Sequence, residues 1–186
     1  MKTIIKHIAN IRTGVFAKPV DKGDIVYLQA KYFDEAGVLK TELEPDLNAG
    51  SISSKHLLEQ GDVLFAAKGS KNFAATFNHN GIPTVASTSF FVIRVHQQQV
   101  LPAFLTWFLN TPGTQQLLKR YAKGSSIVSI SKDDLSELEI SIPSIEKQHL
   151  ILKTANLRKL ELSINNQISD LKEQYIQALL KSALKK

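Results

Sequence analysis

The sequence contains no cysteine, and this absence removes several classes of site. Disulfides, thiolate nucleophiles and cysteine-ligated zinc are excluded, and a reducing compartment is the natural setting for such a chain. No run of residues approaches the roughly 20 apolar positions that cross a bilayer, and residues 1–7 lack the continuous apolar stretch of a signal peptide. We therefore expect a cytoplasmic protein that is neither secreted nor inserted in a membrane.

Acidic residues are absent from one long segment. The whole chain has a formal net charge of +6, but between Asp62 and Asp133 there is no Asp or Glu at all. The basic residues in that segment are Lys68, Lys71, Arg94, Lys119, Arg120, Lys123 and Lys132. A chance gap in a solvated surface is the alternative reading, but the pattern favours a surface that faces a polyanion such as nucleic acid.

The motifs of the common nucleic-acid enzymes are also missing. There is no Glu-x-Lys element of a metal-dependent nuclease, no Gly-x-x-x-x-Gly-Lys loop for triphosphates and no Gly-rich nucleotide turn of a methyltransferase. No two of the five histidines have the i, i+4 spacing of a helical zinc site. Asp133 and Asp134 are better explained as residues of a helix N-terminus. We predict no catalytic residue and no metal site in this chain.

The chain order predicts a mixed α+β fold. The first third contains short β-like runs at 25–28 and 61–66 with a turn at 35–38, and residues 85–95 form the clearest strand. Pro102 opens a helix that ends at Thr111-Pro112-Gly113, and a second helix covers about 114–122. In the second helix we expect Leu117, Leu118 and Tyr121 to be buried.

The C-terminal segment, residues 145–184, is predicted to form a single helix. Residues 145–184 contain neither Gly nor Pro, and such a helix would extend roughly 60 Å. Apolar residues recur every three or four positions along it, at Leu157, Leu160, Ile164, Ile168, Leu171, Tyr175 and Leu179. This narrow stripe suggests pairing with a partner helix, although folding back on the chain's own domain is the alternative. We therefore expect a β-rich globular domain over 1–143 and a long helical arm over 144–186.

Two polar loops of similar composition lie in the acid-free segment. They contain Lys-Gly-Ser at 68–70 and again at 123–125, and glycine lets backbone amides approach a phosphate while Lys and Ser add charge and donors. The candidate DNA-binding residues are Lys68, Ser70, Lys71, Asn72, Lys123, Ser125 and Ser126. Asn78, His79, Asn80 and Gln97–Gln99 are further residue types able to contact base edges.

Several strings then resemble one known family. They are Gly61-Asp62-Val63-Leu64, Phe90-Phe91-Val92-Ile93-Arg94, Pro102-Ala103-Phe104-Leu105, Phe108-Leu109-Asn110-Thr111-Pro112, Ile130-Ser131-Lys132-Asp133-Asp134-Leu135 and Leu138-Glu139-Ile140-Ser141-Ile142-Pro143-Ser144-Ile145-Glu146-Lys147-Gln148. Together they are similar to the target-recognition domain and following helix of type I restriction-modification specificity subunits. One departure is Ser144, where the family pattern has a second Pro.

The resemblance implies a function and a set of partners. The globular domain would read one half-site of double-stranded DNA, and two helices would pair antiparallel as a spacer. A half-length chain would achieve this as a homodimer, whose twofold symmetry predicts a palindromic, bipartite target. The partners implied are a DNA adenine methyltransferase subunit and, in a system that restricts, a restriction/translocase subunit. S-adenosylmethionine, Mg and ATP are then expected only on those partner subunits.

Two other classes of function stay open at the level of sequence. The chain would be a coiled-coil interaction adaptor without direct DNA binding if its association tolerated high salt. It would be an enzyme of unfamiliar type if the purified chain alone turned over S-adenosylmethionine.

Overall fold

A computed structural model describes residues 1–34, 37–40, 42–68, 72–78, 81–121 and 129–184. The chain separates into two compact units, Met1–Ile145 and Glu146–Lys186. Within the described ranges the elements, in chain order, are β1 (Lys2–Ile4), β2 (Ala9–Thr13), β3 (Val26–Leu28), β4 (Val63–Ala66), β5 (Ala74–Thr76), β6 (Thr84–Ala86), β7 (Phe90–Val95), α1 (Pro102–Asn110), α2 (Pro112–Tyr121), α3 (Lys132–Ser136), β8 (Glu139–Ser141) and α4 (Ile145–Ala183). The predicted α+β class is confirmed, with a β-rich unit followed by one long C-terminal helix.

The centre of the first unit is a four-stranded sheet of order β2-β7-β4-β5, in which every neighbouring pair is antiparallel. Strand β7 is paired on both sides, because Phe91 pairs with Thr13 of β2 and with Phe65 of β4. The other four strands form two separate two-stranded sheets, the parallel pair β3-β6 and the antiparallel pair β1-β8. The register therefore brings the end of β2, the end of β4 and the start of β7 to one end of the sheet.

The core of this unit is built on aromatic side chains. Phe33, Phe73 and Phe90 are all buried, and their ring centroids lie 5.4 to 6.0 Å apart in tilted and edge-to-face pairs. Aromatic pairs of this geometry stabilise a core by about 0.5–1.5 kcal/mol beyond their area burial. A second buried cluster, around Tyr27 and Val85, lies beneath the segment that follows β2.

The segment 85–95, predicted as one strand, is two strands of different sheets. Strand β6 pairs with β3, a turn covers Ser87 to Ser89, and β7 then enters the four-stranded sheet. The hydroxyls of Ser87 and Ser89 are 2.6 Å apart, and the amide of Phe90 donates to the carbonyl of Ser87 at 3.0 Å. The chain therefore turns here from one sheet into another, although the β-rich composition of 85–95 predicts one continuous strand.

Strand β5 is the outer strand of the four-stranded sheet, and a side chain covers its backbone. The amide oxygen of Asn110 accepts from the backbone N–H of Ala74, and its amide nitrogen donates to the carbonyl of the same residue, both at 2.8 Å. Asn110 thus takes the place of a neighbouring strand at this position, which prevents the exposed edge from pairing with another chain. Helix α1 begins at Pro102 and ends at Asn110, as the sequence predicts.

Burial along helix α2 differs in part from the prediction that Leu117, Leu118 and Tyr121 are buried. Leu118 is buried and Leu117 is half-buried, but Tyr121 is exposed. Tyr121 lies on the last turn beside Lys119 and Arg120, which are exposed as well. The predicted face was therefore too wide at the C-terminal end of the helix. At α3, Ser131 caps the N-terminus by accepting from the amide of Asp134 at 3.0 Å, as expected for this acidic helix start.

The second unit is helical. Helix α4 runs without interruption from Ile145 to Ala183, and the prediction of one long helix is confirmed. At a rise of about 1.5 Å per residue its length is roughly 58 Å. Its surface pairs include Arg158 with Glu161 and Gln177 with Glu173.

Candidate nucleic-acid interface

Four segments meet at one end of the four-stranded sheet, and we call them together the loop edge. They are residues 14–18 after β2, 67–68 after β4, 87–89 before β7, and 129–131. The amide of Gly14 donates to the carbonyl of Phe90 at 3.0 Å, and the amide of Ala67 donates to the carbonyl of Ser89 at 3.1 Å. The turn 87–89 is therefore the centre of the loop edge, with a strand exit on each side.

The loop edge joins two segments that are far apart in the sequence. Lys68 forms an antiparallel bridge with Ser129, and the amide of Ile130 donates to the carbonyl of Ala67 at 3.0 Å. Lys68 is the first residue of the predicted Lys-Gly-Ser loop at 68–70. The rest of that loop and the whole predicted loop at 123–125 lie outside the described residues.

The segment 14–18 is held tightly and presents an aromatic side chain. The Tyr27 hydroxyl donates to the carbonyl of Val15 at 3.0 Å and accepts from the amide of Ala17 at 3.3 Å. Val15 and Ala17 pack on the buried cluster around Tyr27, whereas Phe16 between them is 78% exposed. A Cβ at Gly14 would overlap the carbonyl oxygens of Ala86 and Ser87, so only glycine allows this close approach.

The opposite end of the sheet carries a different arrangement, which we call the arginine edge. It consists of Glu59, Asp62 and Arg94, joined by the side chain of Arg12. The Asp62 carboxylate, 1% exposed, accepts from Nε and Nη2 of Arg94, both at 2.8 Å, and from the amide of Glu59 at 2.9 Å. Arg12 lies 3.6 Å from the same carboxylate and donates to the carbonyls of Lys55 and Leu57.

The pKa values of the two guanidinium groups shift in opposite directions, because hydrogen bonding dominates for one and burial for the other. The hydrogen bond to Asp62 raises the pKa of Arg94, assisted by the charges of Asp62 and Glu59. Burial, followed by the repulsion of Arg94, lowers the pKa of Arg12. Both groups stay charged at any physiological pH. Arg94 therefore does not belong to an anion-facing surface, as its place in the acid-free segment had suggested, because its charge is already neutralised by Asp62.

The structure describes two of the seven predicted DNA-binding residues. Lys68 is exposed, and in the described ranges it has no ion-pair partner. Asn72 is half-buried and its amide nitrogen donates to the carbonyl of Ala66 at 2.9 Å, which closes the loop between β4 and β5. The other predicted residues, Ser70, Lys71, Lys123, Ser125 and Ser126, lie outside the described residues.

The additional base-contact candidates do not lie with the loop edge. Asn78 follows β5 and Gln97–Gln99 follow β7, so both groups are at the end of the sheet that carries the arginine edge. The side-chain oxygen of Asn78 accepts from Gln60 at 3.2 Å. His79 and Asn80 lie outside the described residues.

Sequence reasoning missed the first segment of the loop edge. Phe16 and Lys18 are both exposed and follow a strand that the composition of residues 9–13 only weakly indicates. The available indication was Gly14, a glycine at a strand exit two residues before an aromatic residue. Such a glycine often marks a close backbone approach.

The predicted stripe of α4 is exposed along its whole length. The seven side chains are Leu157, Leu160, Ile164, Ile168, Leu171, Tyr175 and Leu179, and their exposure lies between 44% and 66%. A face of this extent is normally covered by a partner in a soluble protein.

The described ranges lack two further kinds of feature. They contain no group of three or more His, Asp or Glu side chains that could hold a metal ion. They also contain no helix that is long and apolar enough to cross a membrane.

Comparison with known proteins gives consistent matches. Residues 5–174 match the family model of the type I restriction modification DNA specificity domain. A curated relative, the type I restriction enzyme HindI specificity subunit of Haemophilus influenzae, is 33% identical over 132 residues, which cover 69% of this chain and 29% of the relative.

Solved structures show the same fold at lower identity. The HsdS subunit from Thermoanaerobacter tengcongensis superposes with a TM-score of 0.73 at 19% identity, covering 99% of this chain and 48% of that one. The type I restriction-modification S subunit from M. genitalium gives a TM-score of 0.60 at 17% identity, covering 88% of this chain and 40% of that one. The chain thus spans less than a third of the curated relative and less than half of these structures.

Proposed function

The chain belongs to the family of type I restriction modification DNA specificity domains, and on this premise we propose that it reads a half-site of double-stranded DNA with the loop edge. One observation carries the proposal: Lys68, an exposed lysine that begins the first Lys-Gly-Ser loop, is held at the loop edge by its bridge with Ser129. A cation at this bridge, without a carboxylate partner among the described residues, is suited to a phosphate.

The electrostatics of the loop edge support contact with a polyanion. Lys18 and Lys68 are exposed there. Asp21 follows Lys18 along the chain, and Asp133 and Asp134 lie in the first turn of α3. The Asp134 carboxylate accepts from the hydroxyl of Ser131 at 2.5 Å, so it is already engaged within the chain. Thr88 and Ser89 are half-buried between the strand exits and would contact base edges once lysines had fixed the register on the backbone, whereas Ser87 is buried.

The second part of the proposal concerns α4. We infer that two copies pair antiparallel through the exposed stripe, so that the helices set the distance between two half-sites. Burying seven half-exposed apolar side chains on each copy supplies the driving force for pairing. A twofold dimer then binds a palindromic target in two parts.

The remaining partners follow from the family and from the residues that the chain lacks. We propose that the dimer docks a DNA adenine methyltransferase subunit and, in a system that restricts, a restriction/translocase subunit. S-adenosylmethionine, Mg and ATP would be bound by those subunits, and this chain would select the site without catalysing a reaction. The setting would be the cytoplasm, where these partners meet DNA.

The DNA-binding part is tested by the salt dependence of affinity. The double variant Lys68→Ala, Lys71→Ala should weaken binding to duplex DNA and lower the salt slope by about 0.9 for each phosphate contact removed. Lys55→Ala is the matched control, because Lys55 is an exposed lysine held by Arg12 next to the arginine edge. Unchanged affinity and slope in the double variant would refute the proposed phosphate contacts. A wild type that does not bind duplex DNA but associates with a partner protein at high salt would instead favour an interaction adaptor.

The helical part is tested by sedimentation. Ile164→Glu together with Leu171→Glu places two charges in the middle of the stripe and should convert dimers to monomers. The control pair, Asn165→Glu and Lys172→Glu, changes neighbouring positions that lie outside the stripe. A stripe variant that remains dimeric would place the contact between copies elsewhere.

A further inference from the structure

We propose that Phe16 is an apolar wedge that inserts between base pairs of the DNA bound at the loop edge. The inference rests on the proposed function, because it names a specific contact within that interface. Proteins that insert Phe, Leu or Ile between base steps partly unstack and bend the duplex. Three features of Phe16 support this role: the fixed backbone that carries it, the polar residues around it and its place in the loop edge.

The backbone on both sides of Phe16 is fixed by one buried side chain. Tyr27 is 6% exposed, and its hydroxyl bonds to the residue before Phe16 and to the residue after it. The two flanking side chains, Val15 and Ala17, point into the cluster around Tyr27 and leave Phe16 on the outside. Single exposed apolar side chains are common on protein surfaces. A ring presented on a backbone anchored at both neighbours loses little further conformational freedom when it inserts, which favours a rigid wedge.

A second restraint acts on the residue immediately before Phe16. The amide of Val15 donates to the carbonyl of Ala86 at 2.8 Å, and Val15 forms a parallel bridge with Ser87. The glycine at position 14 permits this approach. Phe16 is thereby tied to the turn 87–89, which is the centre of the loop edge.

The surroundings of Phe16 favour DNA over a protein as the group that receives it. Within the described part of the loop edge, Phe16 is the sole exposed large apolar side chain, and its neighbours there are lysines, serines and a threonine. Protein-binding surfaces place aromatic anchors in larger apolar patches with charged residues depleted at the centre. A lone ring among cations and hydroxyls instead matches a surface that contacts phosphates around an unstacked base step.

The test uses the full chain and duplexes selected from a random pool by the wild type. Affinity is measured across a salt series, and the DNA bend is measured by energy transfer between dyes at the two duplex ends. Phe16→Ala should weaken binding by roughly 5-fold to 100-fold, as expected for loss of one aromatic contact with bases. It should also reduce the bend and leave the salt slope unchanged, because no charge is removed.

Two further variants make the result specific. Phe16→Leu should retain most of the bend, since Leu also serves as a wedge. Leu39→Ala is the matched control, because Leu39 is an exposed apolar side chain outside the loop edge, and it should bind as the wild type does. Thermal melting of Phe16→Ala should match the wild type, because the side chain is largely in solvent.

The outcomes separate this inference from the proposed function. If the wild type binds selected duplexes with a steep salt slope and Phe16→Ala binds and bends them equally well, the wedge is refuted and DNA recognition stands. If Phe16→Ala binds DNA normally but no longer co-purifies with a methyltransferase subunit, Phe16 contacts protein and the wedge is again refuted. If the wild type selects no duplex, both proposals fall together.

Discussion

The two ends of the four-stranded sheet use basic residues in opposite ways. At the arginine edge, Arg94 forms a two-point hydrogen bond with buried Asp62, and Arg12 holds the carbonyls of Lys55 and Leu57. At the loop edge, Lys68 is exposed beside a backbone bridge. The first arrangement holds separate chain segments together, and the second leaves a charge available to a ligand. Arg94 and Lys68 lie in the same acid-free segment, so the sequence pattern alone does not distinguish them.

The difference follows from which groups the fold brings close to each cation. Planar guanidinium groups match a carboxylate and backbone carbonyls with several donors at once, and they bury at low cost when paired. Lysine is a more strongly hydrated point charge on a flexible stem, and it suits a phosphate at a surface. The comparison predicts that changes at the arginine edge affect stability, and that changes of charge at the loop edge affect binding.

The largest effect is expected at Asp62. Asp62→Ala removes the buried carboxylate and leaves Nε of Arg94 and the amide of Glu59 without their acceptor, which should lower the free energy of unfolding by about 3 kcal/mol. Urea unfolding at a fixed protein concentration measures this change.

A matched control exists on the same arginine. Glu59 also pairs with Arg94, but its side chain is 66% exposed. Glu59→Ala should therefore cost less than about 1 kcal/mol. Equal losses for the two variants would contradict the view that burial of Asp62 makes the arginine edge structural.

A smaller effect, at the loop edge, is expected from Gly14→Ala. The new methyl group would overlap the carbonyl oxygens of Ala86 and Ser87, so the backbone must move at a cost of about 1–3 kcal/mol. Because the same backbone carries Phe16, DNA affinity should fall as well. Gly113→Ala is the control, since nothing lies within 4 Å of a Cβ there and alanine favours a helix. A Gly14→Ala protein with wild-type stability would show that the segment 14–18 is not held as described.

The local part of this fold could be predicted from the sequence, and the pairing of distant segments could not. Helix α4 was evident because apolar spacing and the absence of Gly and Pro act within a few residues of one another. Helix α1 was evident from Pro102 and the apolar residues that follow it. The turn at 87–89 was missed because hydroxyl side chains and β-branched residues share one short segment, and their competition is decided by hydrogen bonds that composition does not reveal.

The candidate site shows the same limit. Lys68 was recognisable as a residue type, but its bridge with Ser129 depends on contacts between distant segments. Arg94 was misassigned because its partner Asp62 lies at the start of another strand, β4. The role of Phe16 depends on Tyr27, which lies in a different strand of a different sheet. Contacts between distant segments decide which polar residues remain available, and a single sequence does not contain that information.

The smallest effect is expected at His56, on the segment that Arg12 holds beside the arginine edge. Burial, and then the charges of Lys55 and Arg12, lower the pKa of His56. The unfolded chain, with an ordinary histidine pKa near 6.5, therefore takes up this proton more readily than the folded chain. Stability should fall as the pH drops through about 6.5, and His56 should contribute no pH dependence well above that value. His56→Gln should flatten part of the decline in melting temperature between about pH 7.5 and 5.5.

Lys55→Ala, which removes one of the two charges, should give an intermediate slope. A His56→Gln profile parallel to that of the wild type would show that burial and the neighbouring charges do not lower the pKa of this histidine in the folded chain.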